Sequence, residues 1–255
     1  MDNDMDKAAE PMGPAEIPRG PVPVPAAVRR LAGDETPTAV WVNERGGITF
    51  RLGARYAKWN PHGTGLDLDR ERARLQWARR WHAVPQVLDW GADEAGQWLV
   101  TAALPGEPAV APRWLARPLD AARAIGLGLR RLHDALPVEA CPFDWSIEAR
   151  CRGRPLPVDV PAPPPDRLVV CHGDACAPNT IVGGDGEPVG HVDLGSLGVA
   201  DRWADLAVAS MSLDWNYPPD GEDDRRWQDA LFAAYGVERD EERISFYRAL
   251  WDATD

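Results

Sequence analysis

The sequence predicts a mixed α+β protein of two unlike lobes, a small antiparallel β-sheet with one main helix followed by a larger, mostly helical part. Three features of the 255 residues carry that expectation. Short strand-like runs separated by turn residues fill the first part of the chain up to Ala102. A Leu104-Pro105-Gly106 break follows, and long amphipathic runs dominate beyond it.

Residues 1–25 are rich in Pro, Asp and Glu and poor in large apolar side chains, so they are expected to form a flexible tail outside the fold. The first lobe is expected over 26–103. Its first hairpin runs from Val40 to Lys58, with a turn at Asn43–Gly47 and a single alternating strand over Ile48–Lys58. Residues 67–82 read as a helix with an Asp cap near its start and with Leu68, Glu71, Leu75 and Ala78 along its inward stripe. Val87–Trp90 and Trp98–Ala102 read as two further strands around the turn 91–96. The break at 101–106 is expected to be a hinge, with the second lobe over 107–255. There, Leu119–Leu136 reads as a helix, and six prolines within 155–165 exclude regular structure. Leu168–Cys171 reads as a strand. Thr180–Val182 and Val189–Asp193 read as a hairpin around Gly183–Gly186, and the remainder as mostly helical.

With 44% hydrophobic residues the chain is able to bury a sizeable core. A net charge of −12 and no basic stripe argue against a nucleic-acid partner and suit a cationic small molecule. No run approaches the ~20 apolar residues of a membrane span, and the N-terminus lacks the order of a signal peptide, so no membrane partner and a cytoplasmic location are expected. Cys141, Cys151, Cys171 and Cys176 lack CxxC spacing and read as ordinary thiols.

The chemistry concentrates in His172-Gly173-Asp174, then Asn179, a strand-turn-strand, and Asp193-Leu194-Gly195. Phosphoryl transfer needs a carboxylate that orients an attacking hydroxyl and takes its proton, together with hard oxygen ligands for magnesium on the nucleotide phosphates. Asp174 fits the first role, Asn179 and Asp193 the second, and their order and spacing are those of a kinase catalytic segment. His172 reads as a brace for the loop. A lysine fixed by a helix glutamate is the usual cation for the α- and β-phosphates, and Lys58 with Glu71 has that arrangement. Lys58 is one of only two lysines among 28 basic residues. Asn43–Gly47 offers glycine near the phosphates without a GxGxxG pattern. Of the 12 tryptophans, Trp215, beside the acidic segment 214–224, is the candidate for substrate contact.

With these residues in place, the chain resembles the aminoglycoside phosphotransferases, particularly the branch that modifies 3'- or 3''-hydroxyls of kanamycin- or streptomycin-like compounds. The likeness rests on VVCHGDACAPNTIV, GHVDLGSLGVADRWADLAVA, LRRLHDALPVEACPF, AAYGV and ISFYRAL. It implies a bilobal protein-kinase-like fold, ATP (with GTP left open) held by backbone groups near Ala102 and Leu104, Mg2+, and O-phosphorylation of a polycationic sugar that confers antibiotic resistance. It also implies that Asp252 and Asp255 at the C-terminus offer carboxylates to substrate amines. Two departures stand out. The stretch between Cys141 and His172 is some thirty residues shorter than in related enzymes, and Ser196 stands where the family often has Arg. A kinase of another small hydroxylated metabolite or antibiotic, and a nucleotide-binding pseudokinase, remain open as alternatives, although no catalytic residue is missing.

Overall fold

The computed structural model describes residues 17–18, 20–156, 158, 161–217 and 224–254. Of the segment expected to be a tail, residues 1–16 and 19 lie outside that description. The chain divides into two compact units, one of residues 1–72 and 86–103, the other of 73–85 and 104–255. Among the described residues the architecture is α+β, an antiparallel sheet in the first unit and mainly helices in the second.

The first unit contains helix α1 (Ala26–Ala32) and strands β1 (Thr38–Val42), β2 (Ile48–Leu52), β3 (Arg55–Pro61), β4 (Val87–Ala92) and β5 (Gly96–Ala102). The strands pair antiparallel in the order β1-β2-β3-β5-β4. The expected single strand over 48–58 is two strands, because Gly53 adopts φ +54° and closes a two-residue turn between β2 and β3. The alternation changes phase there. Phe50 and Leu52 are buried on β2, and Ala57 is the buried apolar residue of β3. Val28 and Ala32 of α1, which the sequence pattern did not reveal, pack with Ile48, Phe50, Leu52, Ala57 and Val100 into one apolar cluster.

Helix α2 (Leu68–Ala78) begins in the first unit and continues into the second. Asp67 caps it, its Oδ1 accepting the N–H groups of Asp69 (2.9 Å) and Arg70 (3.3 Å). Leu68, Glu71, Leu75 and Ala78 are all buried, as the stripe predicted. The helix stops four residues short of His82, where turns take over.

In the second unit a two-residue strand β6 (Glu107–Pro108) precedes helices α3 (Pro112–Leu115), α4 (Pro118–Ala135) and α5 (Ile147–Cys151). Strands β7 (Leu168–Cys171), β8 (Thr180–Val182), β9 (Pro188–His191) and β10 (Gly198–Asp201) follow, then helices α6 (Trp203–Asn216), α7 (Arg226–Tyr235) and α8 (Glu241–Thr254). The described residues of 155–165 form neither helix nor strand. β7 pairs antiparallel with β10, and β6, β8 and β9 form a second small sheet. The four-residue β10 falls in the stretch expected to be mostly helical. Its strand character comes from pairing with β7 rather than from any local period. α4 packs on α7 and α6 on α8.

Phe50 has no exposure and is the one aromatic side chain among the buried members of the first unit's cluster. Phe50→Ala is expected to destabilise the protein by about 3–5 kcal/mol in urea denaturation, and a loss under about 1 kcal/mol would remove that cluster from the account.

Candidate active site

In the first unit, β3 presents Lys58, paired across the sheet with Thr49 and Leu99, and the first turns of α2 present Glu71. A hydrogen bond from the Leu68 N–H to Gln97 Oε1 (3.2 Å) ties the start of α2 to β5. Lys58 Nζ lies 2.8 Å from each Glu71 carboxylate oxygen. The glutamate side chain is only 8% exposed against 24% for the lysine, so the carboxylate anchors an ammonium that keeps its own access to solvent. The turn Asn43–Gly47 is closed by its own side chain, since Asn43 Oδ1 accepts the N–H groups of Arg45 (3.0 Å) and Gly47 (2.8 Å). In this conformation those amides are not offered to a phosphate. At the end of β5 the Ala102 N–H donates to the Gln86 carbonyl (2.9 Å), and the Leu104 carbonyl, already in the second unit, accepts from Gly106 (3.0 Å).

In the second unit, β7 delivers His172, Gly173 and Asp174 into a loop held by a residue that the motif reading did not single out. Asp205 on α6 is fully buried, and its carboxylate accepts the backbone N–H of His172 (2.6 Å) and of Gly173 (2.9 Å). His133 Nε2 on α4 shares the same carboxylate (2.9 Å), and His133 Nδ1 meets the Tyr235 hydroxyl of α7 (2.9 Å). Burial alone would raise the Asp205 pKa. The hydrogen bond and charge of His133, with His172 and the Gly173 amide, outweigh it and hold the carboxyl below the usual range. Gly173 adopts φ +87°, and a Cβ there would lie 2.2 Å from the Ser196 carbonyl oxygen. The turn therefore requires glycine on both conformation and space.

The His172 ring accepts the Asp174 N–H at Nδ1 (3.2 Å) and faces the Val192 carbonyl with Nε2 (2.9 Å). The ring is thereby held to the backbone at both nitrogens. His172 braces the loop, as expected. Asn179 Nδ2 donates to the Asp174 backbone carbonyl (2.9 Å) and to its Oδ2 (3.1 Å). Asp174 Oδ1 is buried without a hydrogen bond of normal geometry. Burial first, and then the charge of Asp193, push the Asp174 carboxyl above its ordinary range, partly offset by Cys176, His172 and Asn179.

Asp193 has φ +61°, a left-handed conformation that an ordinary side chain seldom adopts. It follows Val192, whose N–H donates to the Asn179 carbonyl (3.0 Å), so the backbones leading to the two expected metal ligands are directly tied. With Nδ2 committed to Asp174, Asn179 retains Oδ1 as a lone-pair donor. The side-chain amide oxygen and the Asp193 carboxylate are the hard oxygen set that magnesium prefers. Two cavities in this unit, of about 530 and 600 Å³, are lined by other residues, among them His82 and His191 in the first and Arg117 and Asp185 in the second.

Trp215, near the C-terminal end of α6, is 56% exposed. Asp252 on α8 is exposed, and Asp255 lies outside the described residues. Asp205, His133 and Tyr235 were missed because each reads as an ordinary helix residue. The traceable signal is that Asp205 lies within the GHVDLGSLGVADRWADLAVA stretch and His133 within LRRLHDALPVEACPF.

Residues 27–247 match the phosphotransferase enzyme family. The streptomycin 3''-kinase of Streptomyces griseus is 38% identical over 82% of this chain and 89% of its own length. An aminoglycoside 3'-phosphotransferase of Streptomyces fradiae is 34% identical over 78% and 84%. Among solved structures, aminoglycoside phosphotransferase APH(3'')-Id from Streptomyces rimosus aligns with a TM-score of 0.70 at 31% identity, covering 89% of this chain and 96% of that one. The same enzyme has been solved in complex with ADP and streptomycin, with a TM-score of 0.68.

Asp205→Asn removes the charge that grips two amides and is expected to destabilise the protein by about 2–4 kcal/mol at pH 7. Because the native pKa is lowered, the carboxylate's contribution is complete above the unfolded value near 4 and disappears as pH falls through the native value. The gap between wild type and variant in urea denaturation should therefore shrink on acidification below about pH 4. An equal gap at pH 7 and pH 3 would contradict the assignment.

Proposed function

The chain belongs to the phosphotransferase enzyme family, among the aminoglycoside phosphotransferases with their protein-kinase-like fold, and we propose that it phosphorylates a hydroxyl of an aminoglycoside at the expense of ATP, conferring resistance. The observation that carries this reading is the state of Asp174. One carboxylate oxygen is fixed by Asn179, while the other is buried without a normal hydrogen bond. An acceptor hydroxyl brought against this carboxylate would be oriented for attack and would have a proton acceptor within reach. The upward shift of the Asp174 pKa strengthens it as that acceptor.

Each other side chain has a defined task. Asn179 aims the Asp174 carboxylate. Glu71 fixes the Lys58 ammonium, which grips the nucleotide's α- and β-phosphates as a point charge. Backbone groups near Ala102 and Leu104 hold the nucleobase. Asn179 Oδ1 and the Asp193 carboxylate are the residues that would hold Mg2+, which when bound neutralises phosphate charge. Asp205 and His133 keep the His172–Asp174 turn in place before any substrate arrives. Ser196 supplies no cation at its position.

Purified enzyme with ATP and an aminoglycoside panel should release ADP. Asp174→Ala should lower kcat by about 10²–10⁴-fold or more while nucleotide affinity in calorimetry stays within about twofold. Wild-type turnover in that variant would overturn the assignment of the base. Lys58→Ala removes a charge-assisted contact to phosphate, and the KM for ATP should rise roughly tenfold or more. An unchanged KM would place the phosphates elsewhere.

A further inference from the structure

Within the second unit, the segment that carries Asp193 is held on both flanks by α2 and the turns that follow it. Before Asp193, the His191 N–H of β9 donates to the Ala83 carbonyl (3.2 Å), and His191 Nδ1 meets His82 Nε2 (3.0 Å). Gly190 permits this approach, since a Cβ there would lie 2.1 Å from the Ala83 carbonyl oxygen. After Asp193, Leu194 and Leu197 are fully buried and close a turn, the Leu197 N–H donating to the Leu194 carbonyl (3.1 Å). The Leu197 carbonyl then accepts Arg74 Nε of α2 (2.8 Å). The Ser196 carbonyl of the same turn lies against Gly173 in the loop that leads to Asp174.

Arg74 is 7% exposed, and its guanidinium lies over the Phe143 ring, with Cζ 4.5 Å from the centroid. Stacking fixes the plane of the fork, so its reach to the Leu197 carbonyl is set by packing. Burying a guanidinium costs free energy that an apolar side chain at the same helix position would not incur. Asp193, for its part, holds φ at +61°, a conformation that persists where the surrounding structure over-determines it. Resting on the reading of Asp193 as a Mg2+ ligand, we propose that Arg74 is the positioning residue of the metal loop. Its bond to the Leu197 carbonyl, together with the His191–Ala83 bond, fixes the path of residues 191–197 and aims the Asp193 carboxylate before metal or nucleotide arrives. Arg74 acts through the backbone and needs no contact with metal or phosphate. One turn beyond Glu71, α2 thereby has a second task besides presenting that glutamate.

The test measures Mn2+ binding in the presence of ADP by electron paramagnetic resonance, and amide exchange over residues 194–198 in the protein free of metal and nucleotide. Arg74→Met keeps an unbranched stem and removes the donors, whereas Arg74→Lys keeps a donor and the charge. Trp77→Phe is the control, because it removes a different bond of the same helix, from Trp77 Nε1 to the Ala140 carbonyl (3.2 Å). Arg74→Met should weaken Mn2+ binding about tenfold or more and speed exchange of the Leu197 amide, while metal-free ADP binds within about twofold of wild type. Arg74→Lys should recover most of the loss. Trp77→Phe should leave Mn2+ affinity within about twofold, whatever its effect on thermal stability. Unchanged Mn2+ affinity in Arg74→Met overturns the proposal, and so does an equal loss in Trp77→Phe. If Arg74→Met does not fold, the wild type decides. A Leu197 amide already protected without metal supports the proposal, and one that exchanges fast until Mn2+ and ADP are added overturns it. Unchanged Mn2+ binding in Asp193→Asn, a residue type that tolerates the left-handed backbone, overturns instead the metal-ligand reading on which the proposal rests.

Discussion

The second unit is organised around one buried carboxylate. Asp205 takes the amides of His172 and Gly173 on one side and the imidazole of His133 on the other, joining α6 and α4 to the loop that carries Asp174. Tyr235 extends the chain of hydrogen bonds to α7. A loop has few apolar contacts of its own, and two amides gripped by one anion give it a fixed path that packing alone would not.

Asp205 on α6 holds the loop that carries Asp174, and the two carboxyls titrate in opposite directions. Both are disfavoured as anions by burial. Asp205 is compensated by donors on every side and falls below the ordinary range. Asp174 has fewer donors, faces the charge of Asp193 and rises above it. The physical rule is that burial sets the penalty and the number of donors decides the sign. One carboxylate is thereby fixed as a structural anion while the other is left poised to take a proton.

The parts of the candidate site that sequence pointed to are those whose chemistry restricts residue type. Asp174, Asn179 and Asp193 stood out by order and spacing, and Lys58 by its scarcity in an arginine-rich chain. The inward stripe of α2, including Glu71, was also legible because four positions share a helical period. What escaped was set by distant partners. β10 is four residues long and is a strand because β7 lies beside it. The break between β2 and β3 depended on a single glycine inside an otherwise continuous alternation. Asp205 carries no local mark beyond lying in a family-like stretch, since its role is defined by amides more than thirty residues earlier in the chain.

Amide hydrogen exchange over residues 171–175 in the free protein tests this organisation most directly. If Asp205 preorganises the loop, the His172 and Gly173 amides exchange only with global unfolding and gain no further protection from nucleotide or acceptor. Fast exchange in the free protein, slowed only when both substrates are present, would contradict the account and make the loop a product of binding.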